Sequence, residues 1–206
     1  MLARFVRGAA LAAIAFGLLR VGYGTLELFV VPHESTTATL QTGSHAFASG
    51  LSLLAAVLLL WALVGLYIRQ SDAAGTFGLV AFVVAFFGAA LVVGISWLEM
   101  FVLPVLAKEA PQLVGQEQLP GSLGVAYLLS FALFGLGMIL FGIATLLAHV
   151  FPRWPAALLI VSIPATIFLP ATPGSVWEAI GPIMIGIAIA AQGWYATRMP
   201  QSGKPA

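Results

Sequence analysis

Residues 76–106 read TFGLVAFVVAFFGAALVVGISWLEMFVLPVL, a run in which Glu99 is the single charged residue. About 20 apolar residues cross a hydrocarbon core of about 30 Å, so a run this long reads as a transmembrane helix rather than as the core helix of a soluble fold. Working outward, further apolar runs bounded by polar or turn residues occupy 6–31, 46–68, 123–150, 155–169 and 176–197. The run 155–169 is short and rich in proline, with Pro155, Pro164 and Pro170, and reads as either a kinked span or a re-entrant hairpin.

Composition agrees with the bilayer reading. Of 206 residues, 61% are apolar and 7% charged, against about 25% charged in soluble domains, and mean hydropathy is +1.08. A formal charge of +1 provides no basic field for nucleic acid, and the lack of cysteine removes disulfides, thiolate metal sites and thiol nucleophiles. The expected fold class is therefore all-α: a polytopic membrane helix bundle of six transmembrane helices, with residues 1–206 forming one integral membrane domain.

Cytoplasmic loops collect Lys and Arg. Six spans with the N-terminus inside place Arg4, Arg7, Arg69, Arg153, Arg198 and Lys204 in the cytoplasm and leave Lys108 alone outside, with Arg20 inside a span. A re-entrant fifth segment would move Arg198 and Lys204 outside and weaken the split, so six full spans in a cell (inner) membrane, both termini cytoplasmic, is the better expectation. Arg4 and Arg7 ahead of an apolar run resemble a secretory leader, but no small-x-small cleavage site follows and the run resumes after Arg20; it is read as the first span.

Residues 21–32, VGYGTLELFVVP, and 93–104, VGISWLEMFVLP, agree at seven of twelve positions. At 100° per residue Ala9, Ala13, Gly17, Arg20, Gly24 and Glu27 form one stripe, and their counterparts 72 residues on, Ala81, Ala85, Ala89, Val92, Ser96 and Glu99, form another. With Gly-Ser ahead of each even-numbered run and Pro after each odd one, the pattern predicts tandem helical hairpins. The small residues read as packing surface.

The charges on these stripes need another account, because an ionised residue at a helix centre costs about 2.5–3.5 kcal/mol on insertion scales and so turns inward to a partner. Glu27 and Glu99 each stand five residues before a proline, about 7.5 Å along the axis, and Arg20 stands about 18 Å from Pro32, near the midplane. Tyr23, Ser96 and Trp97 lie at similar depth. Arg20, Tyr23, Glu27, Ser96, Trp97 and Glu99 are thus the candidate binding residues, between the first and third spans. They read equally as an ionic knot fixing helix register or as a site for a cation, a proton or a small zwitterion.

His33, Glu34 and His45 are weak metal candidates, since Thr37 stands where a zincin helix needs its second histidine. No metal and no cofactor is expected. No phosphate loop or intramembrane protease pattern occurs, so an enzyme ranks last. The favoured expectation is a transporter or carrier. The alternative is a non-transporting membrane subunit or scaffold that binds a partner protein or an identical copy through its helices, with the lipid bilayer as the common partner of both.

Overall fold

The computed structural model describes residues 1–29, 36–114, 121–168 and 176–199, apart from the side chains of Glu27, Thr36, Val176, Trp177 and Glu178. Every regular element among them is helical: α1 (Leu2–Phe29), α2 (Thr36–Leu40), α3 (Gly43–Phe101), α4 (Leu103–Glu109), a 3-10 turn (Pro111–Leu113), α5 (Gly121–Ala148), α6 (Arg153–Phe168) and α7 (Val176–Arg198). An all-α chain is what hydrocarbon demands, since a helix satisfies its own backbone polar groups.

Four stretches are long and apolar enough to cross a membrane: Leu2–Leu26, Gly43–Glu109, Gly121–Ala148 and Ala179–Arg198. The sequence predicts six. The difference has two sources. The predicted spans 46–68 and 76–106 fall in one continuous helical stretch. The predicted span 155–169 coincides with α6, whose 16 residues reach only about 24 Å.

α3 is nevertheless not a single rod. Gly75 has φ 56° and ψ −152°, a region open essentially to glycine alone. The rings of Tyr67 and Phe82 stack with centroids 4.5 Å apart, and Ser52 Oγ lies 3.5 Å from Ser96 Oγ. In a straight helix those pairs would be about 22 Å and 66 Å apart. Both pairs are nearly symmetric about residue 75, so the chain reverses there into two antiparallel helices, residues 43–74 (α3a) and 76–101 (α3b). Alanine at position 75 would have to hold a conformation costing about 1–3 kcal/mol. Gly75→Ala is therefore expected to lower the melting temperature in detergent, and an unchanged melting curve would reject the pivot.

Short connections make consecutive helices antiparallel neighbours, and glycines mark where they meet. Gly65 of α3a lies against Ala9 of α1, Gly88 and Gly137 join α3b to α5, Gly142 joins α5 to Ile160 of α6, Gly181 of α7 lies against Thr166 of α6, and Gly17 joins α1 to Gly186 and Ala190 of α7. These contacts run in chain order and close α7 back onto α1, forming a ring. Its interior is filled by Leu59, Leu63, Leu66, Met138, Phe141, Leu159 and Ile189, all but inaccessible.

One end of the ring gathers the arginines. Arg69 Nη2 donates to the Ala196 carbonyl at 3.2 Å, Trp154 Nε1 donates to the Tyr195 hydroxyl at 3.4 Å, and the Arg198 guanidinium sits 4.2 Å from the centre of the Trp194 ring. Phe5, between Arg4 and Arg7, packs on Trp61 of α3a. At the opposite end Leu40 of α2, Leu103 and Ala107 of α4, and Val114 form a small apolar cap, tied by Gln41 Nε2 donating to the Ala107 carbonyl at 3.2 Å.

Candidate functional site

In the half of the ring away from the arginines lies a cavity of about 360 Å³, to which α1, α3a, α3b, α5, α6 and α7 all contribute. Most of the wall is apolar, with Phe16, Leu59, Ile95, Phe131, Phe134 and Ile185 prominent. Arg20, Tyr23, Ser52, Ser96, Glu99 and Thr166 interrupt it. An apolar pocket with a few convergent polar groups is the usual form of a small-molecule site.

Each polar group is held by its own helix and a neighbour. Arg20 and Tyr23 are one turn apart on α1, and the guanidinium carbon stands 5.0 Å from the centre of the Tyr23 ring, a cation–π distance. The stem of Arg20 runs beside Gly186 of α7, where a Cβ would come within 2.9 Å of Arg20 Cβ. Glycine there lets α7 approach beside the arginine stem, and Arg20 lines the cavity.

Ser52 and Ser96 meet across the α3 hairpin toward its open end. Thr166 donates its hydroxyl to the Ser162 carbonyl at 2.8 Å, a local bond that hydroxyls commonly form in apolar helices. Pro182 also lines the wall, and its ring removes the amide that would bond the carbonyl four residues earlier.

Glu99 is the most elaborately surrounded of these groups. Tyr127 of α5 and His45 of α3a lie close to it. His45 Nε2 and Ser49 Oγ are 3.2 Å apart. Thr42 fixes the start of α3 by accepting the His45 amide at 3.2 Å, an N-cap that sets where the histidine projects.

Of the residues singled out from sequence, Arg20, Tyr23, Ser96 and Glu99 meet around this one space. Trp97 does not. It is 54% exposed and packs on Phe101 with ring centres 5.8 Å apart; two residues from Glu99 is 200° around a helix, so the two side chains leave α3b on opposite sides. The Glu27 side chain lies outside the described residues, as do His33 and Glu34. No group of three or more His, Cys, Asp or Glu side chains that could hold a metal occurs among the described residues.

The sequence reading placed the site between two helices, whereas six segments line it. Ser52, Thr166, Tyr127 and the phenylalanines were missed. His45, Ser49 and Ser52 lie at i, i+4 and i+7, one face of a helix, and Pro182 interrupts an apolar run; both signals were present in the sequence. No family model matches the chain, and neither a curated protein nor a solved structure matches it.

Proposed function

We propose that the protein is a six-span membrane carrier with both termini in the cytoplasm, and that the cavity binds a small zwitterion with an apolar body. The carrying observation is that one apolar cavity, reached by all six long helical segments, has a guanidinium on the α1 wall and a carboxylate on the α3b wall. Arg20 complements a carboxylate or other anionic group, and Glu99 an ammonium. Phe16, Phe131, Phe134 and Ile185 give the remainder of the ligand a non-polar lining. A bare cation or a proton would need Glu99 but neither the arginine nor the aromatic wall.

The gathering of Arg4, Arg7, Arg69, Arg153 and Arg198 at the far end supports an outward-facing cavity under the positive-inside rule. Cysteines at Ser122 and Gly203 in this cysteine-free chain test the topology. Residue 122 is expected to label from outside intact cells, and residue 203 only after the membrane is opened. Labelling of residue 203 from outside would overturn the six-span arrangement.

We further infer common descent of the hairpins α1–α3a, α3b–α5 and α6–α7, on the matching stripes of small residues. Ala9, Ala13 and Gly17 on α1, and Ala81, Ala85 and Ala89 on α3b, are all buried at helix contacts. Ligand binding is tested on purified protein with a panel of apolar amino acids against simple ammonium and carboxylate ions, read by thermal shift and by protection of a Ser52→Cys variant from a thiol reagent. Stabilisation by the zwitterions alone is expected. Protection by none of them would leave the scaffold reading, in which Arg20 and Glu99 only set helix register.

A further inference from the structure

Below the cavity, toward the arginine end, the interior changes character twice. Leu59, Phe134 and Ile185 line the cavity. One turn further along the same faces come Leu63, Met138 and Ile189, joined by Leu159 of α6, all at most 1% exposed. This is a tightly buried apolar layer, and none of the four lines the cavity.

Beyond it, among further apolar residues such as Leu66, Phe141 and Phe151, two buried amides interrupt the interior. Gln192 lies three residues past Ile189 on α7, about 4.5 Å along the axis, and Gln70 lies seven past Leu63 on α3a, about 10.5 Å. Both continue the buried stripes of their helices: Leu59, Leu63, Leu66 and Gln70 on one, Ile185, Ala188, Ile189 and Gln192 on the other. Gln70 is 1% exposed and Gln192 0%. The amide oxygen and nitrogen of each side chain have no hydrogen-bond partner in the protein. The bond from Arg69 to the Ala196 carbonyl joins the two helices beside Gln70 and one turn beyond Gln192.

A primary amide brings two donors and an acceptor, and burying one with none of them used is among the least favourable choices for a helix interior. Leucine would fill either place without that cost. A use for the pair follows from what lies above it, and the inference rests on the carrier reading, because an inner polar layer serves a protein whose ligand must leave toward the cytoplasm. We propose that Gln70 and Gln192 line a second, inner polar site that holds water and forms the cytoplasmic half of the route beginning at the cavity, with the layer of Leu63, Met138, Leu159 and Ile189 as the gate between them. The amides suit uncharged hydrogen-bonding groups. Water solvates them while the gate is shut, and the polar ends of the ligand replace it in transit.

Single cysteines at Gln70, Gln192 and, as the dry control, Leu63 test this in inside-out vesicles treated with a small cationic thiosulfonate. A hydrated thiolate attacks the sulfenyl sulfur of the reagent, forming a disulfide and expelling sulfinate, so residues 70 and 192 are expected to label at least about tenfold faster than residue 63. Equal, near-zero rates at all three would overturn the inner site. Should those variants fail to fold, Gln70→Leu and Gln192→Leu carry the same question. A dry orphan amide predicts a raised melting temperature on replacement by leucine, whereas a hydrated one predicts an unchanged or lowered value. Labelling at 70 and 192 with no zwitterion protection at Ser52→Cys would sink the carrier reading while leaving the hydrated inner site standing.

Discussion

Leucine at Gly17 is expected to prevent α1 from docking on α7 and to leave little folded protein. A Cβ on Gly17 already collides with the Gly186 carbonyl and with Ala190 Cβ, so the larger side chain meets backbone, which cannot rotate away. Two turns nearer the arginine end the same seam is as tight, since a Cβ on Gly193 would lie 2.6 Å from the Ala10 carbonyl oxygen and 2.7 Å from Ala13 Cβ. In lipid no hydrophobic force draws helices together, and close van der Waals packing carries that role. Overpacking typically costs about 1–3 kcal/mol, and more where the opposing surface is rigid. Gly22→Leu, on the same helix with nothing within 4 Å of its Cβ, is the matched control and should change stability by no more than about 0.5 kcal/mol. Equal melting temperatures for the two variants would show that the seam does not hold the ring closed. Because Arg20 and Tyr23 follow Gly17 by one and two turns, a loosened seam also removes one wall of the cavity.

Much of the helical content was legible because hydrocarbon allows so few alternatives: long apolar runs, proline stops and the placement of arginines each reflect a cost the bilayer imposes locally. The break between 68 and 76 was visible in the polar stretch from Arg69 to Asp72, whereas the reversal on the single residue Gly75 was not, since it depends on a dihedral pair that glycine permits but does not advertise. The ring was not legible either. Which small residue meets which, Gly65 with Ala9 or Gly137 with Ala85, is decided by mutual fit, and dozens of Ala and Gly positions look alike in a string. Burying a charge is expensive enough for the sequence to suggest its direction, and Arg20 and Glu99 both line the cavity. Trp97 was misplaced because depth along the helix was considered and the angle around it was not.

The placement of Arg20 and Glu99 on different walls of one cavity predicts a separation between folding and binding. Replacing Arg20 by leucine removes the cation on the α1 wall, and a carboxylate left in a low-dielectric interior without its counter-charge takes up a proton or destabilises the bundle. Glu99→Gln in the same molecule removes that burden, so the melting temperature of the double variant should recover much of what Arg20→Leu loses. Ligand affinity should not recover with it. In the proposed carrier each charge would anchor a different end of a zwitterion, and truncating one side of a buried charge pair costs about 2–5 kcal/mol, which is about 30-fold in affinity at the least. The double variant should therefore be stable and unable to bind. Glu27→Gln is the necessary companion, because Glu27 follows Arg20 by seven residues and is the single acid in the sequence of α1. If Arg20 answers to Glu27 instead, Glu27→Gln will rescue the stability of Arg20→Leu and Glu99→Gln will not. Recovery of both stability and binding in the Arg20→Leu, Glu99→Gln protein would mean that the two charges serve only each other, and the ring would then be a scaffold locked by an ionic knot rather than a carrier.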